Sequence, residues 1–404
     1  MRESPYPMIS VSEALEIVLR EVYTLPPKTR PFTEAMNLVL AEDIFAVEPM
    51  PPFPAATVDG YAVIAADTGQ RQIIGDQMAG YVADLEIRPG FAARVTTGAP
   101  IPPGADAMVM IEDTEEADGL LELKTSVPPG NCIRPVGVDI EVGQLVLPSG
   151  VVLKPAEIGL LAMIGRPEVR VYPPPRIAVM STGDEIIEPG QTLRPGQIRD
   201  ANRFALMSAV QQAGGMPVDF GIVRDQEANL AETIRRGLET ADGILTSGGV
   251  SMGQLDLVKP YLAENGRLFF GRVNTKPGKP VTFGLLEGKP FFAMPGFPVS
   301  ALVSFEVFVR PALLKMAGHA NVHRPRRQVT LAHKVNHSPD RTEFQRVTLS
   351  RHEDGELVAS TTGAQASSRL LSMRDANGLI VLPHGQGDFP AGSVVEALVL
   401  DVIP

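Results

Sequence analysis

The stretch from Ile177 to Glu185, IAVMSTGDE, decides the fold, because an apolar run of strand length ends in a polar loop that contains glycine. Consecutive apolar residues are typical of a strand that is buried on both faces of a parallel sheet. The polar tail marks the point where such a strand ends. The pattern therefore predicts the first strand of an α/β sheet.

The chain beyond this stretch repeats the same pattern. Strands are predicted at 217–223, 243–247, 269–273, 281–285 and 291–294, and helices at 202–213, 227–239, 256–264 and 298–316. This alternation predicts a doubly wound α/β domain. A further helix, 10–23, is predicted by a capping box at Ser10 and Glu13. Short alternating strands with Pro and Gly turns predict a mostly β insertion at 49–146 and a second β region from about residue 325.

Polar loops follow the predicted strands, and open α/β sheets bind ligands at the carboxyl ends of their strands. One such loop is usually only a turn, whereas five in line predict a site. The candidate residues of these loops are Ser181, Thr182, Gly183, Asp184, Glu185, Asp225, Ser247, Gly248, Gly249, Ser251, Asp256, Arg272, Lys276, Lys279, Pro295 and Pro298.

The residue types in these loops favour anions and a hard metal ion. Backbone N–H groups of the glycine-rich loop 247–253 suit a phosphate or oxyanion, and Lys276 and Lys279 supply positive charge. The carboxylates of Glu185, Asp225 and Asp256 suit Mg²⁺. All 6 histidines lie at position 319 or later, which argues against a zinc site or a Ser-His-Asp nucleophile in these loops.

Composition limits the remaining function classes. The net charge of −11 argues against nucleic-acid binding. The single cysteine, Cys132, makes no internal disulfide and is expected to be an inert apolar residue. No signal peptide or membrane-length apolar run is visible. We therefore expect a cytoplasmic protein that does not bind a membrane.

Several short strings, in order along nearly the whole chain, resemble the MoeA family, which includes the gephyrin E domain and the plant Cnx E domain. Each string is weak alone, and together they are specific. They are Asp59-Gly60-Tyr61-Ala62, Thr97-Gly98-Ala99-Pro100, Ser181 to Glu185, Gly196-Gln197-Ile198 with Asp200 and Asn202, Ser247 to Ser251, Lys276 to Pro280, Pro295-Gly296 with Pro298 to Ser300, and Phe344-Gln345-Arg346.

The resemblance implies a molybdopterin molybdenumtransferase that takes adenylylated molybdopterin and molybdate and releases AMP with Mg²⁺. It implies four domains: a molybdopterin-binding-like α/β domain (1–26 with 173–322), a small linking domain (27–48 with 147–172), the β insertion (49–146) and a C-terminal β domain (323–404). It implies a homodimer and molybdoenzymes or other cofactor-pathway proteins as partners. By matching strings it adds Asp59, Thr97, Arg134, Asp139 and Arg346 to the site, with Asp59, Thr97, Asp139, Glu185, Asp225 and Asp256 as catalytic positions.

The chain departs from the family pattern at a few positions, which leaves the choice between molybdate and tungstate open. These positions are Phe297, where Asn is usual, Gln254, Ala366, Pro135 and Val136. Two other functions compete: a non-catalytic scaffold like the gephyrin relative, and the adenylyltransferase step that a related α/β fold performs. Both lysines and the aligned carboxylates favour an enzyme over a scaffold. The β insertion and the C-terminal domain favour metal insertion over adenylylation.

Overall fold

A computed structural model of the chain describes residues 6–249, 257–353 and 355–404, which form two compact units. Unit 1 comprises Met1–Lys28, Asn37–Ala41 and Val171–Pro404, and unit 2 comprises Thr29–Met36 and Glu42–Arg170. Unit 2 is therefore an insertion into unit 1. The finer division into four domains remains a prediction.

Helices within the described residues begin with the capped N-terminal helix. They are α1 (Val11–Glu21), α2 (Pro155–Met163), α3 (Asn202–Gln212), α4 (Glu227–Thr240), α5 (Val258–Asn265), α6 (Pro298–Ser304), α7 (Arg310–Met316) and α8 (Leu371–Arg374). In α1 the Glu13 amide donates to Ser10 Oγ at 3.1 Å, which confirms the predicted cap. Ala14 and Val18 are fully buried on its inner face.

Strands of the first half of the chain are short. They are β1 (Lys28–Pro31), β2 (Val39–Leu40), β3 (Ile44–Phe45), β4 (Ala55–Ala56), β5 (Gly60–Val63), β6 (Arg71–Gln77), β7 (Phe91–Val95), β8 (Ala107–Met110), β9 (Thr114–Ala117), β10 (Leu120–Leu123), β11 (Ile133–Arg134), β12 (Leu145–Leu147) and β13 (Glu168–Tyr172).

Strands of the second half build the α/β sheet and the C-terminal region. They are β14 (Arg176–Thr182), β15 (Ile186–Ile187), β16 (Ile198–Arg199), β17 (Met216–Val223), β18 (Gly243–Ser247), β19 (Arg267–Phe270), β20 (Thr275–Lys276), β21 (Thr282–Leu286), β22 (Lys289–Met294), β23 (Arg326–Leu331), β24 (Thr342–Arg351), β25 (Leu357–Thr361), β26 (Gly378–Leu382) and β27 (Val394–Val399).

The α/β sheet of unit 1 has the order β17-β14-β18-β22-β21-β19. The first four strands are parallel, and β21 and β19 are antiparallel additions. Alternate residues of each strand face opposite layers: Val179 and Leu245 pack on the side of α1 and α3, whereas Ala178 and Ile244 pack on the side of α4 and α5. The predicted doubly wound α/β domain is confirmed.

Two predicted element boundaries are wrong. The predicted strand 269–273 is β19, which ends at Phe270 before Gly271. The helix predicted at 256–264 begins at Val258, within the described residues. The helix predicted at 298–316 has the predicted ends, and it contains a π-helical turn, Phe305–Val309, because Pro311 has no N–H for the regular helical hydrogen bond.

The C-terminal part of unit 1 is a closed β-barrel. Strands β24, β25, β23, β27 and β26 pair in this order, and β26 pairs back with β24. The barrel interior is apolar, with Leu349, Ala359 and Ile380 fully buried. This confirms the predicted C-terminal β region.

Unit 2 is mostly β, as predicted. Its main sheet has the order β8-β5-β7-β6-β10-β9. Apolar residues pack on both of its faces: Ala62 and Met108 belong to one cluster, and Val63 and Val109 belong to another. Unit 2 also contains two small sheets, β4–β11 and β3–β12.

Candidate functional site

Strand-end loops of the α/β sheet meet at the carboxyl edge of the parallel strands. The Gly248 amide donates to the Met294 carbonyl at 3.1 Å, and the Gly183 amide donates to the Val223 carbonyl at 3.2 Å. Thr182 Oγ1 donates to the Ser247 carbonyl at 3.5 Å. These contacts join four of the five predicted loops, those after β14, β17, β18 and β22.

The glycine-rich loop requires glycine at two consecutive positions. Gly248 and Gly249 have φ angles of 91° and 65°, in the left-handed region that L side chains rarely adopt. A Cβ on Gly248 would lie 2.5 Å from the Thr182 carbonyl oxygen, and one on Gly249 would lie 2.8 Å from Thr182 Oγ1. The backbone of this loop is thus held against the end of β14. Ser251 and Asp256, both predicted site residues, lie outside the described residues.

Two polar side chains at the start of α3 tie the loops together. The Asn202 amide nitrogen donates to Ser247 Oγ at 2.7 Å and to the Gly296 carbonyl at 2.8 Å. Asp200 is buried and accepts from Ser181 Oγ at 2.9 Å. Neither residue was predicted as a site residue, although both belong to the string that resembles the family. A polar pair directly before a predicted helix was the signal that could have found them.

Carboxylates crowd one corner of this edge. The Asp225 amide donates to Asp184 Oδ1 at 3.3 Å, and the Glu185 carboxylate lies over Gly183, where Oε2 would be 2.6 Å from an added Cβ. Burial raises the pKa of Asp225, and the negative charges of Asp184 and Glu185 raise it further. The corner therefore favours binding of a proton or a metal ion.

The loop with Lys276 and Lys279 is placed differently from the prediction. It does not follow a strand of the α/β sheet: Lys276 ends β20, which pairs in parallel with β24 of the barrel, with Lys276 opposite Glu343. The Lys276 ammonium lies 3.0 Å from Glu343 Oε1. Gly278 packs on α6, where a Cβ would lie 2.4 Å from Ser304 Oγ. Lys279 is exposed, and Arg272 is half-buried.

Arg346 lies inside the barrel region with 1% of its surface exposed. Its Nε donates to Ser372 Oγ at 3.2 Å, and its Nη2 donates to the Ala366 carbonyl at 3.3 Å. Burial lowers the pKa of Arg346 to about 10. In this structure the predicted substrate-binding guanidinium therefore contacts protein groups in the interior.

The two predicted prolines occupy a turn and a helix start. Pro295 follows β22, and Pro298 is the first residue of α6, where its missing N–H costs nothing. The Val299 amide donates to the Ser367 carbonyl at 3.0 Å. Phe297, the departure from the family pattern, is exposed between the two prolines.

Unit 2 carries the other predicted residues, in two pairs. Asp59 Oδ1 accepts hydrogen bonds from the Thr97 amide at 2.7 Å and from Thr97 Oγ1 at 3.0 Å. These two bonds lower the pKa of Asp59. Arg134 and Asp139 form an ion pair. Each pair is exposed at the end of a short strand, as a ligand-contacting residue would be.

The described residues contain no group of three His, Cys, Asp or Glu side chains arranged to hold a metal ion. A metal at the carboxylate corner would thus need ligands beyond Asp184, Glu185 and Asp225, such as Asp256 or the substrate. No helix in the described part of the chain is long and apolar enough to cross a membrane.

Family models match three successive regions of the chain. They are the MoeA N-terminal region (domain I and II) at residues 9–165, a probable molybdopterin binding domain at 178–315, and the MoeA C-terminal region (domain IV) at 328–400. The middle match covers the α/β domain, and the last covers the barrel. An α/β site flanked by these two β regions defines the class as MoeA-like multidomain proteins.

Comparisons over the full length agree with this class. Molybdopterin molybdenumtransferase 2 of Mycobacterium tuberculosis is 36% identical over 96% of this chain and 99% of its own length. Gephyrin of Dictyostelium discoideum is 36% identical over 100% of this chain, which spans 64% of the length of gephyrin. The crystal structure of the MoeA protein from Pyrococcus horikosii covers 98% of this chain and 100% of its own, with a TM-score of 0.84 and 32% identity. The chain belongs to the MoeA family, which confirms the resemblance predicted from the sequence.

Proposed function

We propose that this protein is a molybdopterin molybdenumtransferase, which inserts molybdenum from molybdate into adenylylated molybdopterin and releases AMP. The observation that carries the proposal is the convergence of a glycine-rich loop and a carboxylate corner at one edge of the α/β sheet. Relatives named molybdopterin molybdenumtransferase that align over nearly the whole chain support it. The proposal sets the reaction in the cytoplasm.

Residues of this edge and of the separate Lys276 loop suit different parts of the substrate. Backbone N–H groups of the loop beginning at Ser247 suit the phosphate groups. Lys276 and Lys279 suit the oxyanion, since ammonium groups form strong charge-assisted bonds with such oxygens. Asn202 holds Ser247 and Gly296 in fixed positions, and so limits the motion of the loops around the ligand.

We also propose that Mg²⁺ binds at the carboxylate corner, held by Glu185, Asp225 and Asp256 together with substrate phosphate. The raised pKa of Asp225 supports this, because crowded carboxylates without a cation are unfavourable. When bound, Mg²⁺ would neutralise charge on the leaving phosphate. Asp184 accepts a hydrogen bond from the Asp225 amide, and this bond would hold the Asp225 backbone in position.

The test is a reaction of purified protein with adenylylated molybdopterin, Mg²⁺ and either molybdate or tungstate. We expect AMP release that requires an oxyanion and stops in EDTA. Comparison of the two oxyanions gives the metal preference. If no oxyanion supports AMP release, the scaffold function replaces the enzyme. Adenylylation of unmodified molybdopterin from ATP would instead indicate the adenylyltransferase function.

We further propose a homodimer. An exposed apolar strip on the small β3–β12 sheet of unit 2 supports it: Phe45 lies opposite Leu145 in the register, and Val47 and Val142 are 77% and 63% exposed. Apolar surface of this kind suits contact with a second copy. Light scattering should give twice the monomer mass at micromolar concentration. A monomer mass there would contradict the dimer without affecting the enzymatic proposal.

A further inference from the structure

We infer that Glu343 and His337 are positioning residues for Lys276: Glu343 holds the lysine ammonium at a fixed place for a bound oxyanion, and His337 holds the Glu343 carboxylate. The inference rests on the proposed function, in which Lys276 contacts the oxyanion. Neither Glu343 nor His337 belongs to any string that resembles the family.

Glu343 faces Lys276 across the pairing of β20 with β24. The register places Lys276 directly opposite Glu343, and the ammonium lies 3.0 Å from Glu343 Oε1. The Glu343 side chain is 3% exposed and the Lys276 side chain is 41% exposed. The carboxylate is therefore a buried anchor, and the ammonium is the exposed end of the pair.

The second oxygen of Glu343 contacts His337, whose side chain is fully buried. His337 Nδ1 lies 2.9 Å from Glu343 Oε2, and His337 Nε2 lies 3.1 Å from the Pro383 carbonyl oxygen. The imidazole ring is therefore held between the Glu343 carboxylate and the Pro383 carbonyl, and it fixes the orientation of that carboxylate.

The surroundings of the triad allow a ligand to reach the ammonium. A cavity of about 500 Å³ opens at this end of the barrel and is lined by Lys276, Glu343 and Gln345. Charged groups around the triad include Asp388, which accepts from the His337 amide at 2.9 Å, and Lys334, which pairs with Asp388 at 2.7 Å. Two guanidinium groups lie nearby as well: Arg346 interacts electrostatically with Glu343, and Arg341 donates to the Thr275 carbonyl at 3.3 Å.

Steady-state kinetics of AMP release separate positioning from charge. In Glu343→Gln the ammonium keeps its charge and loses its ion pair, so kcat should fall roughly tenfold to hundredfold while the KM for molybdate does not rise. In His337→Gln the carboxylate loses its side-chain support, so kcat should fall in the same way but by a smaller factor. Glu396→Gln, which removes the ion pair with Arg326 elsewhere in the barrel, is the matched control. An unchanged kcat in Glu343→Gln would overturn the inference.

A chemical readout tests the triad independently of the enzymatic proposal. Acylation by acetic anhydride requires an accessible, unprotonated amine, and peptide mass spectrometry reports its rate at each lysine. Lys276 should react several-fold faster in Glu343→Gln than in the wild type, with the exposed Lys279 as internal reference. Equal rates at Lys276 would refute the anchor even if AMP release occurs. Faster acylation in a protein that releases no AMP would keep the anchor and reject the proposed function.

Discussion

Two aspartates, one in each unit, have pKa values that are shifted in opposite directions. Asp225 in unit 1 is partly buried beside Asp184 and Glu185, and its pKa is raised. Asp59 in unit 2 is exposed and accepts two hydrogen bonds from Thr97, and its pKa is lowered. The charge of the first carboxylate is only partly compensated, by the Asp184 backbone and by Arg224, whereas the second is already stabilised as an anion by its own loop.

The difference between the two pKa shifts indicates which carboxylate a bound cation would stabilise more. A carboxylate with two N–H and O–H donors gains little from a metal, because the donors already stabilise its charge. A carboxylate crowded by like charges gains a great deal. We therefore assign the proposed Mg²⁺ to unit 1, and regard Asp59 as a preformed acceptor for a donor group of the substrate.

The largest expected effect on catalysis is that of Asp225→Asn on AMP release. Loss of a metal-binding carboxylate should lower the rate by roughly hundredfold, about 2.7 kcal/mol of barrier, because the leaving phosphate keeps its charge. Pterin binding, measured by fluorescence titration, should change less than about twofold, since a charge-assisted contact is lost only at the phosphate end. Glu239→Gln on the exposed face of α4 is the control. Equal losses of rate and pterin binding would contradict a metal role.

The same substitution should change stability in the opposite direction. A carboxyl group whose pKa is raised in the folded state costs stability as pH rises through that pKa. Asp225→Asn should therefore raise Tm at neutral pH, and the gain should disappear in acid below the pKa of the unfolded chain. Mg²⁺ should raise the Tm of the wild type only. A lower Tm at neutral pH would show that Asp225 is compensated by a group outside the described residues.

The next effect tests how tightly the loops of unit 1 are packed. Gly248→Ala adds both left-handed strain and a contact 2.5 Å from the Thr182 carbonyl oxygen, so it should cost about 3–4 kcal/mol of unfolding free energy. Gly214→Ala has a similar φ angle of 83° with no heavy atom within 4 Å of the added Cβ, and should cost about 1–2 kcal/mol. Urea denaturation measures both. Equal costs would mean that the loop can move away from β14.

Lys276→Ala is expected to have an intermediate effect on binding. Loss of one charge-assisted contact should weaken molybdate binding by about 1.5–3 kcal/mol, roughly tenfold or more, in isothermal titration calorimetry. The fold should survive, because the side chain is the exposed end of its ion pair. Arg326→Ala, at the start of β23, should leave the affinity unchanged. A normal affinity in Lys276→Ala would make the lysine a solvated surface group.

The smallest effect is expected at Asp59. Its lowered pKa means that its contribution to stability is present above the unfolded-state pKa and is lost as pH falls through the folded-state pKa. Asp59→Asn should therefore lower Tm slightly at neutral pH and not at all in strong acid. Asp84→Asn, an exposed aspartate of the same unit, should show neither change. A large Tm loss would mean that unit 2 depends on the Asp59–Thr97 pair for folding.

The sequence was sufficient for the α/β sheet because burial on both faces leaves unbroken apolar runs, such as residues 177–180. It failed for the loop of Lys276, because an apolar run that includes Val273 reads as a strand although the chain turns at Gly271. The isolated bridge from Val273 to Ile9 buries the residue without extending β19. A bridge between residues so far apart in the chain produces no local hydrophobic periodicity in the sequence.

The positions of candidate site residues were predictable where polar side chains stand at the end of an apolar strand, as at Ser181 and Ser247. Asn202 was not predicted, because its side chain joins two loops through hydrogen bonds. These loops come together only in the folded chain. Asp59 and Thr97 became candidates through family resemblance alone, since a turn and a strand end give no chemical signal by themselves. Their hydrogen bonds appear only when β5 and β7 pair.

The position of α1 has a consequence for the order in which the chain can fold during synthesis. Ala14 and Val18 belong to the same apolar cluster as Phe305 and Leu313, and the Leu25 amide donates to the Met316 carbonyl at 2.9 Å. At translation rates of about 5–20 residues per second, the ribosome needs roughly 15–60 s to reach these partners. The apolar face of α1 therefore stays uncovered until α6 and α7, the last helices of the α/β domain, have been synthesised. During this time the face is accessible to chaperones and proteases.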